Sequence, residues 1–160
     1  MNNLIIIKKY ALNYLSKYDS SKMNLKRVIK NKIKRLSLEK RDKFHLYNSI
    51  ENILSEFESK NLINDKEYAI RKIQIFSQQG KSRIYIQNYL LVKGIEKELI
   101  SNITNEFESN NLEWELESAK IFARKKRIGK NDKDNYEKNL AKLARAGFSY
   151  NICKKILDSL

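Results

Sequence analysis

Few side chains in this sequence are suited to covalent or metal chemistry, and their spacing argues against both. His45 is the single histidine and Cys153 the single cysteine, and more than a hundred residues separate them. A nucleophilic cysteine needs a base beside it, and a metal site needs further histidine or cysteine ligands. We therefore expect His45 to be structural or exposed, and Cys153 to be an inert packing or surface residue.

The glycines and the acidic residues do not supply a catalytic site either. The four glycines are single and widely spaced, so the chain can form neither a Walker A loop nor a dinucleotide fingerprint. Pairing along helix surfaces explains the glutamates near predicted helix ends, which are Glu56, Glu58, Glu106 and Glu108. The sequence predicts no enzyme, no cofactor and no metal, and it directs attention to binding.

Basic residues are the chemically distinctive group, because they are clustered rather than evenly spread. The formal net charge is +14, which draws a chain to nucleic acid, an anionic membrane or an acidic protein surface. On one predicted helix, Arg27, Lys30 and Lys34 fall on a single face. The other predicted partner-binding residues, in turns or at helix ends, are Lys81, Arg83, Arg124, Lys125, Arg127 and Lys130. The alternatives are solvated helix faces and cations that relieve a helix macrodipole.

An internal repeat positions these clusters. Residues 50–62 read IENILSEFESKNL and residues 100–112 read ISNITNEFESNNL, which is an offset of 50 residues with 9 of 13 positions identical. Such a period indicates one supersecondary unit used more than once, each unit burying its apolar face against the next. Equivalent positions then point to the same side, so the basic clusters predict a recurring ridge that follows an acidic partner.

Apolar spacing and capping signals predict three helices in each repeat. In the middle repeat Asn64 can cap the first helix, with Glu67 completing a capping box. Gly80 and Gly94 suit the left-handed position that ends a helix, and Ser82 can cap the helix between them. The corresponding signals in the other repeats are Ser20, Ser21, Gly129, Gly147 and Ser149.

The expected fold is all-α, with three tandem three-helix repeats that resemble helix-turn-helix units and form an elongated, curved array. The first repeat, 1–62, is divergent and rich in lysine, the second spans 63–112 and the third spans 113–160. The absence of proline fits a helical chain. Trp114, at the start of the third repeat, is expected to pack between repeats rather than to stack on a base.

The sequence also bears on the compartment. The apolar run at residues 4–7 is too short for a membrane span or the core of a signal peptide. A single cysteine fits a reducing compartment. We expect a soluble, cytoplasmic and monomeric protein with no membrane partner.

Three stretches of the chain resemble successive repeats of the RecX family, the bacterial regulators of the RecA recombinase. The stretch 63–95 resembles the central repeat through Asp65, Tyr68-Ala69, Gly80, Ile86, Leu90 and Lys93-Gly94-Ile95. The stretch 123–157 is similar to the last repeat through Arg124, Arg127, Leu140, Leu143, Arg145 and Gly147-Phe148-Ser149-Tyr150. The stretch 11–33 resembles a variant first repeat through Ser20-Ser21 and Leu25-Lys26-Arg27-Val28-Ile29.

The resemblance implies a role in DNA repair, DNA recombination and the SOS response. Members of the family lie in the groove of the RecA–DNA filament, bridge adjacent protomers and inhibit ATP hydrolysis, filament growth and strand exchange, without catalytic residues or cofactors. The resemblance adds Arg145 to the predicted partner-binding residues. The chain departs from the family in the second helix of the central repeat, which is usually rich in arginine and here holds Arg83 with uncharged residues such as Tyr85, Gln87 and Asn88. It also carries lysines in place of arginines in the last repeat, which changes the expected affinity but keeps the sign of the charge.

Two other functions are compatible with the residues. One is direct binding of single- or double-stranded DNA, with the second helix of each repeat acting as a recognition helix; Gln87 and Asn88 are the candidates for base contacts. The other is a helical scaffold for an unrelated protein, in which the charge is incidental.

Overall fold

The computed structural model describes residues 2–129 and 133–159 of the chain. Within these residues the regular elements are nine α-helices and a 3₁₀ turn at Lys133–Asn135, which confirms the predicted all-α fold. The helices are α1 (Asn3–Leu15), α2 (Lys22–Arg35), α3 (Lys40–Ser59), α4 (Asp65–Gln78), α5 (Arg83–Val92), α6 (Lys97–Asn110), α7 (Trp114–Lys125), α8 (Tyr136–Arg145) and α9 (Tyr150–Asp158). Over the described residues, every helix is too short or too polar to cross a bilayer.

Ser21, Asn64, Ser82 and Ser149 cap the helices that they were assigned to, whereas the Ser20 hydroxyl donates to the Ser21 carbonyl. The Ser21 hydroxyl accepts a hydrogen bond from the Asn24 N–H at 3.2 Å, and the Asn64 side chain accepts from the Glu67 N–H at 3.1 Å. Ser82 and Ser149 cap α5 and α9 in the same way. Each bond satisfies a backbone donor that has no partner within the first turn of its helix.

The helix ends follow the prediction except at α7. Gly80, Gly94 and Gly147 have the left-handed conformation, with φ of 82°, 80° and 93°. The assignment of Gly129 as a helix-ending glycine is wrong, because Arg127 takes that position with φ of 54°. The Ile128 N–H reaches back to the Ala123 carbonyl at 3.0 Å, which closes the helix in a Schellman motif before Gly129 is reached.

The described residues form two compact units. The first holds residues 2–68 and 93–95, and the second holds 69–92, 96–129 and 133–159. The core of the first unit consists of Ile7, Ala11, Leu25, Ile29, Ile33, Leu46, Ile50, Ile53, Leu54, Phe57 and Ile63. A core cluster of the second unit consists of Ala119, Ala123, Ile128, Leu143, Phe148, Cys153 and Ile156. The repeat boundaries after residues 62 and 112 stay a prediction.

Candidate partner-binding surface

The turn that carries Lys81 is fixed against α7. The Ser118 hydroxyl donates to the Lys81 carbonyl at 2.6 Å, and the Lys125 ammonium donates to the Gln79 carbonyl at 2.9 Å. A Cβ at Gly80 would lie 2.9 Å from the Phe122 backbone nitrogen, so this close approach requires glycine. The structure thereby brings two predicted site residues, Lys81 and Lys125, to one place.

We call this group of cations the α7 basic cluster, and its members are Lys81, Arg124, Lys125, Lys126 and Arg127. The last four are exposed, and Lys81 is half-buried. The Lys81 ammonium lies 4.5 Å from the ring centroid of Tyr85, within the range of a cation–π contact. The cluster gathers at the C-terminus of α7, where the helix dipole favours positive charge, and it presents most of that charge to solvent.

The predicted basic face of α2 is also present, in the first unit. Arg27, Lys30 and Lys34 are exposed. The opposite side of the same helix carries Leu25, Ile29 and Ile33, which are fully buried. The apolar residues are four positions apart, which places them on one face of the helix and leaves the cations on the opposite face.

Arg83 differs from the other predicted site residues, because the fold itself engages its charge. Its guanidinium donates to the Glu108 carboxylate at 2.6 Å and to the Asn105 side chain at 2.9 Å. Its backbone N–H donates to the Glu115 carboxylate at 3.0 Å. Arg83 is therefore tied to both α6 and α7, and the contacts point to a structural role for its side chain.

Arg145 and Lys130 are the two remaining predicted partner-binding residues. Arg145 is exposed at the end of α8, and its Nε donates to the Ala141 carbonyl of the same helix at 3.2 Å. Lys130 lies outside the described residues.

The contacts of Arg83 belong to a larger arrangement at the start of α5. The Ser82 hydroxyl, besides capping α5, donates to the Ala146 carbonyl at 2.7 Å. Ala146 directly precedes Gly147, whose added Cβ would lie 2.6 Å from the Ser82 hydroxyl. One serine thus joins the start of α5 to the glycine turn that follows α8. We call Ser82, Arg83, Glu108, Glu115 and Ala146 the second serine clasp.

The first unit contains the same arrangement. The Ser21 hydroxyl donates to the Lys93 carbonyl at 2.6 Å, just before Gly94. The Lys22 N–H donates to the Asp65 carboxylate at 2.8 Å, and the Lys22 ammonium donates to Glu58 at 2.6 Å. The hydrogen bond to Glu58 raises the pKa of Lys22. Ser21, Lys22, Glu58, Asp65 and Lys93 form the first serine clasp.

The two clasps show that pairing along helix surfaces does not explain all of the glutamates near helix ends. Glu56 pairs along its helix with Lys60, at 2.7 Å and four residues apart, and it also binds Lys8 of α1 at 2.5 Å. Glu58 and Glu108 bind cations of other helices, and they occupy equivalent positions of the 50-residue repeat. The repeated EFES motif, together with the basic residue that follows Ser21 and the one that follows Ser82, was the signal that could have revealed the clasps.

The residues considered for other chemistry are placed as follows. His45 is exposed, and Cys153 is fully buried with its thiol 3.5 Å from the Phe148 carbonyl. Burial raises the pKa of the Cys153 thiol, which disfavours the reactive thiolate. Trp114 packs edge-on against Phe107 of α6 at 5.5 Å between ring centroids. Among the described residues, no three histidine, cysteine or carboxylate side chains are grouped to hold a metal ion.

These features define a class: an all-helical protein whose helix junctions repeat one set of polar contacts and whose cations collect on exposed helix faces and ends. Comparisons with known proteins narrow the class. No family model matches the chain. The regulatory protein RecX of Myxococcus xanthus (strain DK1622) is 31% identical over 156 residues, which cover 93% of this chain and 82% of the relative. The regulatory protein RecX of Clostridioides difficile (strain 630) is 30% identical over 159 residues, which cover 96% of this chain and 67% of the relative.

Solved structures agree with these relatives. The crystal structure of RecX from Lactobacillus salivarius has the same fold, with a TM-score of 0.68 at 22% identity over 99% of both chains. A second crystal structure of a regulatory protein RecX gives a TM-score of 0.67 at 22% identity, over 97% of this chain and 71% of the other. The chain belongs to the RecX family of regulatory proteins, and this membership supports a regulatory role.

Proposed function

We propose that this protein binds in the groove of the RecA–DNA filament and modulates RecA, mainly by inhibiting its ATPase, filament extension and strand exchange. Membership of the RecX family supports the recombinase as the partner. The observation that carries the proposal is the α7 basic cluster, with four exposed cations at one helix end. In this proposal the protein acts as a cytoplasmic monomer in DNA repair, recombination and the SOS response.

The α7 basic cluster suits an anionic surface for two physical reasons. Arg124 and Arg127 carry guanidinium groups, which bind carboxylates or phosphates through two parallel hydrogen bonds. The backbone beneath them is fixed by the Schellman motif at Arg127 and by the bond from Lys125 to Gln79. Less conformational freedom is therefore lost when the cluster binds. Acidic filament protein and DNA phosphates are both suitable partners.

The other predicted residues divide into two groups under this proposal. Arg27, Lys30 and Lys34 offer a second exposed basic face, and Arg145 adds a further exposed cation. Arg83 acts by positioning, since its guanidinium already binds Glu108 and Asn105. In the proposed arrangement, three repeats with boundaries after residues 62 and 112 carry these faces along the filament.

The test is a RecA ATPase assay on single-stranded DNA, with the protein titrated in. We expect the double substitution Arg124→Glu/Arg127→Glu to raise the concentration for half-maximal inhibition by about a hundredfold, because like charges then face the partner. The control is Lys154→Glu/Lys155→Glu, which makes the same change in net charge on exposed positions of α9. The control should inhibit like the wild type. Wild-type potency of the Arg124→Glu/Arg127→Glu protein would show that the α7 basic cluster is not the binding surface.

A second candidate function is direct DNA binding. The observation in its favour is α5, which carries an exposed Asn88 and a half-buried Gln87 on the predicted recognition helix. Amide side chains of this kind can pair with adenine edges in the major groove. Binding to DNA in the absence of RecA separates this candidate from the first.

A further inference from the structure

An open groove of about 740 Å³ lies within the second unit, between α4, α6 and α7. Its position and composition differ from those of the α7 basic cluster. The residues that line it are Ile70, Ile73, Gln74, Ser77, Gln78, Ile103, Glu106, Phe107, Asn110, Asn111, Trp114, Glu117 and Ile121. None of these residues belongs to the α7 basic cluster or to the basic face of α2.

The lining follows helical periodicity on both long walls. On α4 the groove residues begin at Ile70 and recur at intervals of three and four up to Gln78. On α6 they recur at the same intervals from Ile103 to Asn110, and Asn111 follows at the C-cap. The eight residue steps from Ile70 to Gln78 rise by about 12 Å, so the groove accommodates roughly two turns of a further helix lying along it.

The floor of the groove is apolar, and its rim is mostly polar. Ile73 and Ile103 are buried at the bottom, and the rings of Phe107 and Trp114 pack edge-on beside them. Ile70 and Ile121 are half-buried along the sides. An apolar groove bounded by helices is the usual seat for the apolar face of an amphipathic helix, which anchors through side chains at helical spacing.

The charge of the groove is opposite to that of the chain. The charged residues in its lining are Glu106 and Glu117, both exposed, while the chain as a whole carries +14. Lys120 partly offsets Glu117 through an ion pair at 2.6 Å on the same helix. Glu106 therefore dominates the electrostatics of the rim, which favours a cationic occupant.

Trp114 adds a hydrogen-bond donor with no acceptor in the described part of the chain. Its side chain is 7% exposed, and its indole N–H has no hydrogen-bond partner there. A buried donor without an acceptor is costly. A peptide occupant brings backbone carbonyls, which are suitable acceptors for an indole N–H.

We propose that the groove binds a two-turn amphipathic helical segment of a partner protein, with large apolar side chains at helical spacing and a lysine or arginine beside them. The periodicity of α4 and α6 sets the length of this segment, and Glu106 selects its charge. This surface is independent of the proposed RecA contact, because it recognises a basic, apolar segment while the α7 basic cluster recognises an anionic one.

The probe is a synthetic amphipathic peptide of about 16 residues, long enough to form helix in isolation. It has leucines at i, i+3 and i+7 and lysines flanking them. A matched peptide replaces each lysine by glutamate. Binding is measured by calorimetry and by the fluorescence of Trp114, the single tryptophan of the chain. We expect the lysine peptide to bind about tenfold more tightly, although the net charge of the protein favours the glutamate peptide.

Glu106→Lys and Glu98→Lys change the net charge equally, and together they test whether the peptide binds in the groove. Glu106→Lys should weaken binding of the lysine peptide about tenfold, and Glu106→Gln should weaken it less. Glu98→Lys changes an exposed residue of α6 outside the groove lining, so this variant should bind like the wild type. The Arg124→Glu/Arg127→Glu protein should also keep its peptide affinity, which separates this proposal from the proposed RecA contact.

Three results would overturn the proposal. The first is equal or tighter binding of the glutamate peptide, and the second is no binding of either peptide. The third is a change in Trp114 fluorescence with protein concentration alone, matched by self-association in sedimentation, because a second copy of the chain would then be the occupant.

Discussion

Two arginines of this chain show how neighbouring groups decide the role of a side chain. Arg83 faces Glu108 and Asn105 at hydrogen-bond distance, so its charge is largely satisfied within the protein. Arg124 is exposed at the end of α7. The same guanidinium chemistry therefore stabilises a helix junction in one case and is available to a partner in the other.

Glu115 of the second serine clasp makes the stability of the protein depend on pH. Burial raises the pKa of its carboxyl group, against the opposing effect of the hydrogen bond from the Arg83 N–H. Because the folded pKa lies above the unfolded one, the stabilising contribution of the protonated form is complete below the unfolded pKa. It is lost as the pH rises through the folded pKa.

We therefore predict that Glu115→Gln increases the free energy of unfolding at neutral pH. Glutamine keeps the acceptor oxygen for the Arg83 N–H but removes the cost of burying a charge. The measurement is urea unfolding of wild type and variant from acid to neutral pH, and the advantage of the variant should shrink as the pH falls.

Glu117→Gln provides the control for this experiment. Glu117 is an exposed glutamate on the same helix, and its loss removes an equal charge. We expect little change in stability from this control at any pH. A lower stability of Glu115→Gln than of wild type at neutral pH would mean that the ionised carboxylate is required in the clasp.

The sequence predicted contacts between residues that are close together along the chain, and it missed contacts between residues that are far apart. The caps at Ser21, Asn64 and Ser82 involve residues three apart, so their signals lie within a few letters. The ion pair of Glu58 with Lys22 joins residues 36 apart. Its recognition required knowing which helices meet, and the sequence pattern left that open.

At the scale of helices, the two serine clasps perform the same mechanical function. Each joins the start of one helix to a glycine turn more than sixty residues further along the chain. In the first unit this contact holds Lys93–Ile95 against α2, which explains why these three residues belong to that unit rather than to the second. The repeated sequence thus specifies a repeated junction as well as repeated helices.

Gly94 is the most constrained position in the first junction. A Cβ at Gly94 would lie 2.3 Å from Cβ and 2.5 Å from Cγ of Met23, at a φ of +80°. We predict that Gly94→Ala destabilises the protein by about 2–4 kcal/mol, from backbone strain and overpacking together. Thermal and urea unfolding measure the loss.

Gly129→Ala is the matched control for Gly94→Ala. An added Cβ at Gly129 would meet nothing within 4 Å, and this glycine has no left-handed φ. Its substitution should change stability by no more than about 0.5 kcal/mol. Equal effects of the two alanine substitutions would show that the contact between Gly94 and Met23 does not hold the junction.

At the scale of the whole molecule, charge is concentrated on particular faces rather than spread uniformly. The first unit carries the basic face of α2, and the second carries the α7 basic cluster. The groove of the second unit has an acidic rim within a chain of net charge +14. The sequence indicated the clusters and the sign of the charge, but it did not reveal the groove, because α4, α6 and α7 form it only after folding.

Regulation of a filament and direct DNA binding differ in how the binding affinity of these charged faces depends on salt. Lysines and arginines that neutralise phosphates release counterions, so affinity for naked DNA falls steeply as salt rises. The affinity of a complex that also includes protein–protein contacts falls less steeply with salt, because those contacts do not depend on counterion release.

We predict that the wild-type protein binds naked single- and double-stranded DNA weakly and without sequence preference, and that this binding is lost as salt rises from about 50 to about 300 mM. Binding to RecA-coated single-stranded DNA should persist over the same range. Fluorescence anisotropy of labelled DNA, with and without RecA, measures both affinities. The Arg124→Glu/Arg127→Glu protein should lose the filament binding. Tight, sequence-dependent binding to naked DNA at physiological salt would instead assign the basic faces to DNA itself.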